Sequence, residues 1–409
     1  MCEERQKILI LGGNAAQVPL IQAANKAGYY VVLVDYTTTN PGIALADKHY
    51  QVNFMHREKV LEIARKENVQ GVISNSEPAM PIVAYISEQL NLVGNTLESV
   101  LKLSSKIGFR VLQKEIGVFA PEHVVTASFE EACQQIDRLR FPVIIKPSQS
   151  SGSRGTTKVS EREHFLDFRK EWEACSKFSL DGRVVLEEFV LSQTPDSTID
   201  GDVFICDGRI LWNGLFTTRR SLKAPMVPMM IVFPIVLEDD RLEDVKKDIE
   251  RILCGAGIRF GEYNLESYYT PDNQLFFIEI NARQGGGGVP VMAQKHSGID
   301  MYKLLVTTAM GDNTYFDEVY SRENCCNYVV RQHVFSRKPG IFRELYIAPE
   351  LQSFVKNVQL LVKPGDVVRT GGCAEDTLGW IDLEFESREQ QHSFFKQIEE
   401  DIYPLVDSQ

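Results

Sequence analysis

"LFFIEINARQGGGGV", Leu275–Val289, begins as an apolar strand and loses that character within a few residues. Glu279, Asn281 and Arg283 occupy alternate positions, so on a strand they share one face. Glycines fill 285–288, where only backbone is left to meet an approaching group. Just upstream, "GEYNLESYYTPDNQ" (261–274) reads as a second alternating strand and a Pro-Asp-Asn turn. With the turn centred between Asp272 and Asn273, Glu266 falls opposite Glu279 and Asn264 opposite Asn281. Two carboxylates facing each other across a ladder have Cβ atoms about 5 Å apart and repel. A divalent cation between them turns the repulsion into a site, and Mg²⁺ favours carboxylate oxygens shared with substrate phosphates. Arg283, on the same alternation, can reach a phosphoryl oxygen or a substrate carboxylate. The plain alternative, a solvated polar face on a half-buried sheet, leaves the paired acids and the glycines unexplained.

Two earlier stretches have matching chemistry. In "FPVIIKPSQSSGSRGTTKV" (Phe141–Val159), Lys146 ends an apolar strand and stands at its mouth. The loop that follows, with Ser151, Gly152 and Gly155, can wrap phosphates through backbone N–H groups. It is not a P-loop, because no Gly-Lys-Ser/Thr follows; a flexible surface hairpin is the other reading. In "VVLEEFV" (184–190), Glu187 and Glu188 interrupt an apolar strand before Phe189 and Val190. A backbone edge there can hydrogen-bond a purine sandwiched between aliphatic side chains.

The chain of 409 residues is 44% hydrophobic and 24% charged, which suggests an ordinary soluble protein of two or three domains. A net charge of −12 argues against a nucleic-acid partner, which needs clustered Lys and Arg, and against docking on anionic lipid. The start, Met1–Arg5, carries no apolar leader. The longest oily stretch, Pro225–Leu237, is too short for a bilayer and holds three prolines. The expectation is a cytoplasmic protein without membrane contact. Eight cysteines without a CxxC pair read as reduced core residues, Cys325-Cys326 included.

The first third alternates strand and helix: "KILILGG", "YVVLVD" and "GVISNS" between amphipathic segments, the rhythm of a doubly wound parallel sheet. The turn "LGGN", with Asp35 after the second strand, lacks the spacing of a dinucleotide fingerprint. A structural turn is the preferred reading and an NAD-binding oxidoreductase the alternative. Beyond a helical, basic stretch (97–118) come antiparallel strands with a hairpin turn at "CDG" (Cys206–Gly208) and a helix over Leu242–Ala256. The tail holds a turn at "KPGDVV" (Lys363–Val368) and one last helix, "SREQQHSFFKQIEEDIY" (387–403).

Taken together, the order strand–Lys–glycine loop, "EEF", then a hairpin with Glu…Glu-x-Asn-x-Arg resembles the ATP-grasp superfamily over nearly the whole chain. The branch is that of biotin carboxylase, carbamoyl phosphate synthetase and glycinamide ribonucleotide synthetase. The resemblance implies a multidomain α/β and α+β fold. A Rossmann-like doubly wound domain would cover 1–96. An ATP-grasp domain would cover 97–323, with a mobile lid at about 120–190. An α+β segment at 324–409 would complete the core. It also implies roles. Lys146 and Lys106 would hold ATP phosphates, with Ser151 and Gly152 in the covering loop. Glu187 would receive the adenine amino group beside Glu188, Phe189 and Val190, and Asp196 would bind the ribose. Glu266, Glu279 and Asn281 would bind Mg²⁺ (or Mn²⁺). Arg283 would stabilise the transferred phosphoryl group. The implied activity is an ATP-dependent carboxylate–amine (or thiol) ligase working through an acyl phosphate on small-molecule substrates, with an amino acid among the candidates. A homodimer is common in the resembled families. A phosphoribosylglycinamide synthetase-type purine ligase and a non-catalytic nucleotide-binding module are the alternatives. Arg219, Arg220, Arg331 and His296 are candidates for acceptor contacts, or ordinary structural groups.

Overall fold

In the computed structural model the described residues are 5–149, 155–221, 227–322, 326–371, 376–395 and 398–407. Lys7–Leu11 (β1), Tyr30–Asp35 (β2), Lys48–Gln51 (β3) and Gly71–Ile73 (β4) pair in parallel in the order β3-β2-β1-β4. The strands are continuous apolar runs because helices cover both faces. Ile8, Ile10, Val31 and Leu33 pack with Leu20 and Ile21 on one side, while Leu9, Leu11, Val32 and Val34 pack with Val60 and Ile86 on the other. β3, Lys-His-Tyr-Gln, has no apolar alternation to mark it in the sequence.

A small antiparallel sheet follows, built from His123–Thr126 (β5), Val143–Pro147 (β6), Thr157–Val159 (β7) and Val184–Glu188 (β8), in the order β5-β8-β6-β7. Its own core includes Val143, Ile145, Leu186 and Trp172.

Among the described residues a nine-stranded sheet carries the rest. It uses Ser197–Cys206 (β9), Arg209–Leu211 (β10), Leu215–Arg220 (β11), Pro228–Phe233 (β12), Phe260–Tyr269 (β13), Leu275–Asn281 (β14) and Tyr328–Val334 (β15). After Gly340–Ile347 (β16) come Val355–Leu360 (β17), Val367–Val368 (β18), Gly379–Phe385 (β19) and Ile402–Asp407 (β20). The order is β14-β13-β9-β11-β12-β15-β19-β17, with β10 paired to β9, and β18-β16-β20 form a separate ribbon. The helix Asp239–Ala256 lies against one face because Val245, Ile249, Ile252, Leu253 and Ala256 recur at helical spacing. Asp239 and Asp240 suit its positive N-terminus, and Gly257 ends it at φ +77°.

The tail departs from the expected single last helix. The described helices are Arg388–Phe394 and the single turn Ile398–Asp401, and Ile402 and Tyr403 belong to β20, paired with Ile347 and Tyr346. Pro404 and the β-branched neighbours oppose a helix, and an edge strand tolerates the missing N–H. No helix among the described residues is long and apolar enough to cross a membrane.

Candidate active site

The hairpin β13–β14 pairs Glu266 with Glu279 and Asn264 with Asn281, as expected. The turn itself differs. Next to it Tyr269 pairs with Leu275 and Ser267 with Phe277, so the ladder is centred on Asp272. The register shifts between Glu266 and Ser267, which leaves Ile278 as the extra residue of a β-bulge. The bulge changes the phase of the strand. Leu275 and Phe277 face the core, and after Ile278 so do Ile280 and Ala282. Glu279 and Asn281 are thereby directed to the other face, where Phe276 packs against Phe119 and Tyr268.

On that face the neighbouring strand extends the row. Asp200 of β9 pairs with Glu266, and Asp202 with Asn264. Three carboxylates, Asp200, Glu266 and Glu279, therefore lie side by side across three strands. Burial, then Asp200 and Glu279, push the Glu266 carboxyl up to about 7. Burial also acts on Glu279, but Lys106 (3.6 Å from its carboxylate), the Asn281 side chain (2.9 Å) and Arg283 outweigh it and hold its pKa below the usual range. Arg220 stands 3.6 Å from Glu266. Asp200 accepts from the Thr218 hydroxyl through one oxygen, and its other oxygen has no hydrogen-bond partner among the described residues. Among those residues no group of three or more His, Cys, Asp or Glu side chains could hold a metal ion. The Glu266–Glu279 pair with Asn281 offers two carboxylates and an amide, a set that Mg²⁺ completes with phosphate oxygens and water rather than with a protein cage.

Lys146 is buried at the end of β6, with its ammonium 2.5 Å from Glu187 of β8. Burial, against the pull of Glu187, lowers its pKa to about 8. Arg110, on the helix Lys106–Glu115, holds the same carboxylate at 2.8 and 3.2 Å. It also donates to the carbonyls of Phe277 and Ile278, both at 3.1 Å. Arg110 therefore joins the small sheet to the bulge of β14. Glu187 is 2% exposed, and Arg110 and Lys146 hold its pKa down at about 2 against the penalty of burial. Its side chain is thus committed to two cations, and the adenine contact expected of it would have to break them.

Arg283 lies just past β14 and contacts Asn264 at 3.2 Å and Glu77 of the first domain-like unit at 3.3 Å. The glycines behind it serve two ends. Gly285 donates to Asp202 at 2.8 Å, and a Cβ there would lie 2.8 Å from that carboxylate. Gly288, at φ +82°, leaves room for the Arg331 guanidinium, which bonds the Gly287 carbonyl at 3.0 Å and Asp382 at 2.7 Å. Gly286 alone faces open space.

Other expected positions sit as follows. Lys106 flanks Glu279. Glu188 bonds the exposed Arg140. Lys158 sits 3.9 Å over the Phe189 ring, and the Tyr268 hydroxyl donates to the Val190 carbonyl at 2.7 Å. Asp196 pairs with Arg219 at 2.8 Å. Ser151 and Gly152 lie outside the described residues. His296 is buried and bonds the Asn327 carbonyl, and Arg331 is held by Asp382, so each has a structural partner. Asp35 accepts from the Gly13 and Thr37 N–H groups and from Asn40, which explains the "LGGN" turn as structure.

Sequence reasoning missed Arg110, Glu77 and the Asp200–Asp202 pair. Arg110 is four residues after Lys106, so both lie on one helix face, and Asp200 and Asp202 alternate along a strand.

Residues 139–290 match the model described as the ATP-grasp domain. The chain carries an ATP-grasp domain. Residues 8–97 match "PylC-like, N-terminal domain", so the parallel sheet precedes the ATP-grasp domain. The carbamoyl phosphate synthase large chain of Pseudothermotoga lettingae is 26% identical over 326 residues, 75% of this chain and 28% of that one. The chain spans about a third or less of the length of such curated relatives. Among solved structures, an L-amino acid ligase from Bacillus licheniformis superposes with a TM-score of 0.79 at 18% identity, covering 99% of this chain and 100% of that one. A phosphoribosylglycinamide synthetase from Anaerococcus prevotii gives 0.74 at 18% identity, with 99% and 100% covered. At such identity the likeness is one of fold, and it agrees with the ATP-grasp fold expected from "EINARQGG".

Proposed function

We propose that this chain is an ATP-dependent ligase that activates a small carboxylate and joins it to an amine or thiol. The observation that carries the reading is the half-buried row Glu266–Glu279 with Asn281, flanked by Lys106, Lys146 and Arg283. The row sets Asp200, Glu266 and Glu279 side by side, and one Asp200 oxygen has no hydrogen-bond partner among the described residues, which fits a divalent cation. Glu266, Glu279 and Asn281 would hold Mg²⁺ or Mn²⁺; when bound, it neutralises developing charge on the transferred phosphoryl group.

The chain's own groups do the rest. Lys146 and Lys106 bind phosphate oxygens. Arg283 orients the carboxylate and stabilises charge on the phosphoryl group passing to it. The backbone of Glu188–Val190 borders the adenine. The small sheet excludes water that would hydrolyse the activated carboxylate. The fold shared with an L-amino acid ligase supports amino acids as the first substrates to try.

The test is ADP release with Mg²⁺-ATP across amino acids, small carboxylates and amines. At least one pair should stimulate release well above the rate without substrate. No stimulation by any pair, with Mg²⁺-ATP still raising the melting temperature, would leave a nucleotide-binding module without ligase activity.

A further inference from the structure

Between the parallel sheet and the β13–β14 hairpin lies a cavity of about 60 Å³. Ala84 and Ser87 line it from the helix Met80–Leu90, Glu262 from β13, Gln284 and Arg283 from the segment after β14, and Thr308 from the helix Met301–Ala309. The remaining wall is mainly apolar. Ser87, Gln284 and Thr308 are each 2% exposed, and Ser87 Oγ, Gln284 Oε1 and Thr308 Oγ1 have no hydrogen-bond partner among the described residues. Buried polar atoms are nearly always satisfied, so these three atoms, with Glu262 Oε1, likewise without a partner among the described residues, point to something in the cavity that satisfies them.

The cavity offers little charge. Burial and the adjacent Asp202 push the Glu262 carboxyl well above the usual carboxylate range, and it accepts from the Gln284 amide at 2.6 Å. Arg283 is the one cation of the lining, and it is held by Glu77 and Asn264. A water needs about 10–15 Å³ of such volume, so the space takes roughly four waters or a group of several non-hydrogen atoms. Its walls suit the latter, because waters need several polar partners each.

We propose that this cavity is the specificity pocket for one of the two small substrates, taking an uncharged group of a few non-hydrogen atoms, apolar along its length with one hydrogen-bonding end. Arg283 lines the pocket and borders the acidic row, so a substrate whose reacting carboxylate meets Arg283 has its other end here. The catalytic part rests on the ligase reading; occupancy of the cavity does not.

Two arms separate these. Crystals of the protein soaked in 2-propanol or acetamide should show the probe in the cavity, bonded to Thr308 or Gln284. Ordered water undisturbed by either probe would overturn the proposal. In the kinetic arm, Ala84→Phe fills the pocket and should raise the KM of whichever substrate stimulates ADP release by about tenfold or more. The KM for Mg²⁺-ATP should stay within about twofold. Thr308→Val, which keeps shape and removes the hydroxyl, should shift the same KM in the same direction and serves if Ala84→Phe does not fold. An unchanged substrate KM in a folded variant would overturn the proposal. If no substrate pair stimulates ADP release, the ligase reading falls and the soaks alone decide the cavity.

Discussion

The guanidinium of Arg110 grips both oxygens of Glu187, at 2.8 and 3.2 Å, with neither side chain reaching solvent. Removing one partner of a buried ion pair costs about 3–5 kcal/mol where the other charge is left uncompensated. Lys146 still holds Glu187 in Arg110→Met, so the loss in urea unfolding should fall toward the lower end of that range, from the broken pair and the two bulge carbonyls left without a donor; a change at Arg140, in an exposed pair with Glu188, should cost far less. Equal losses from the two would show that the buried pair does not hold the sheets together.

Glu279→Gln should abolish Mg²⁺-dependent ATP turnover. The fold should survive, since Gln keeps the shape and relieves repulsion with Glu266, so the circular dichroism spectrum should be unchanged. Unaltered turnover in this variant would remove the metal from the Glu266–Glu279 row.

The pH dependence follows from two groups, half-buried Glu266 and buried Lys146. Glu266, pushed up to about 7 by burial and by Asp200 and Glu279, must lose its proton to serve as a metal ligand. Lys146, pulled down to about 8 by burial, must keep its proton to hold phosphate. The value of kcat/KM should therefore rise with pH through about 7 and fall above about 8. An acidic limb in the ordinary carboxylate range would show that Glu266 does not carry the titration.

Two glycines in one loop should behave differently. Gly288→Ala forces a left-handed conformation at φ +82° and drives a Cβ into Arg331, so it should lower the melting temperature by the equivalent of more than about 1 kcal/mol. Gly286→Ala meets nothing within 4 Å and should be tolerated. Equal melting shifts would contradict the loop geometry.

The hairpin shows how far sequence carries. Glu266 opposite Glu279 was readable from alternation, yet the turn is centred on Asp272 and the bulge at Ile278 makes up the difference. The clue was present as apolar spacing: Leu275 and Phe277, then Ile280 and Ala282. Arg110 was not readable, because an arginine on a helix usually points to water, and only the fold brings Glu187 and two bulge carbonyls to it. The same fold occupies Glu187 from both sides, which no strand pattern announces. β3 was invisible because Lys-His-Tyr-Gln has no apolar period, and β20 because Ile402 and Tyr403 continue a helical-looking run.

Arg110 grips a strand end of the small sheet with one side of its guanidinium and the backbone of β14 with the other. A cover that swings over a bound nucleotide has to flex somewhere. Flexing at this joint would strip a buried carboxylate of one of its two charge partners and two carbonyls of their donor. If the small sheet closes as a cover, its hinge would therefore lie away from the Glu187 end of β8, which Arg110 would hold as a fixed jaw.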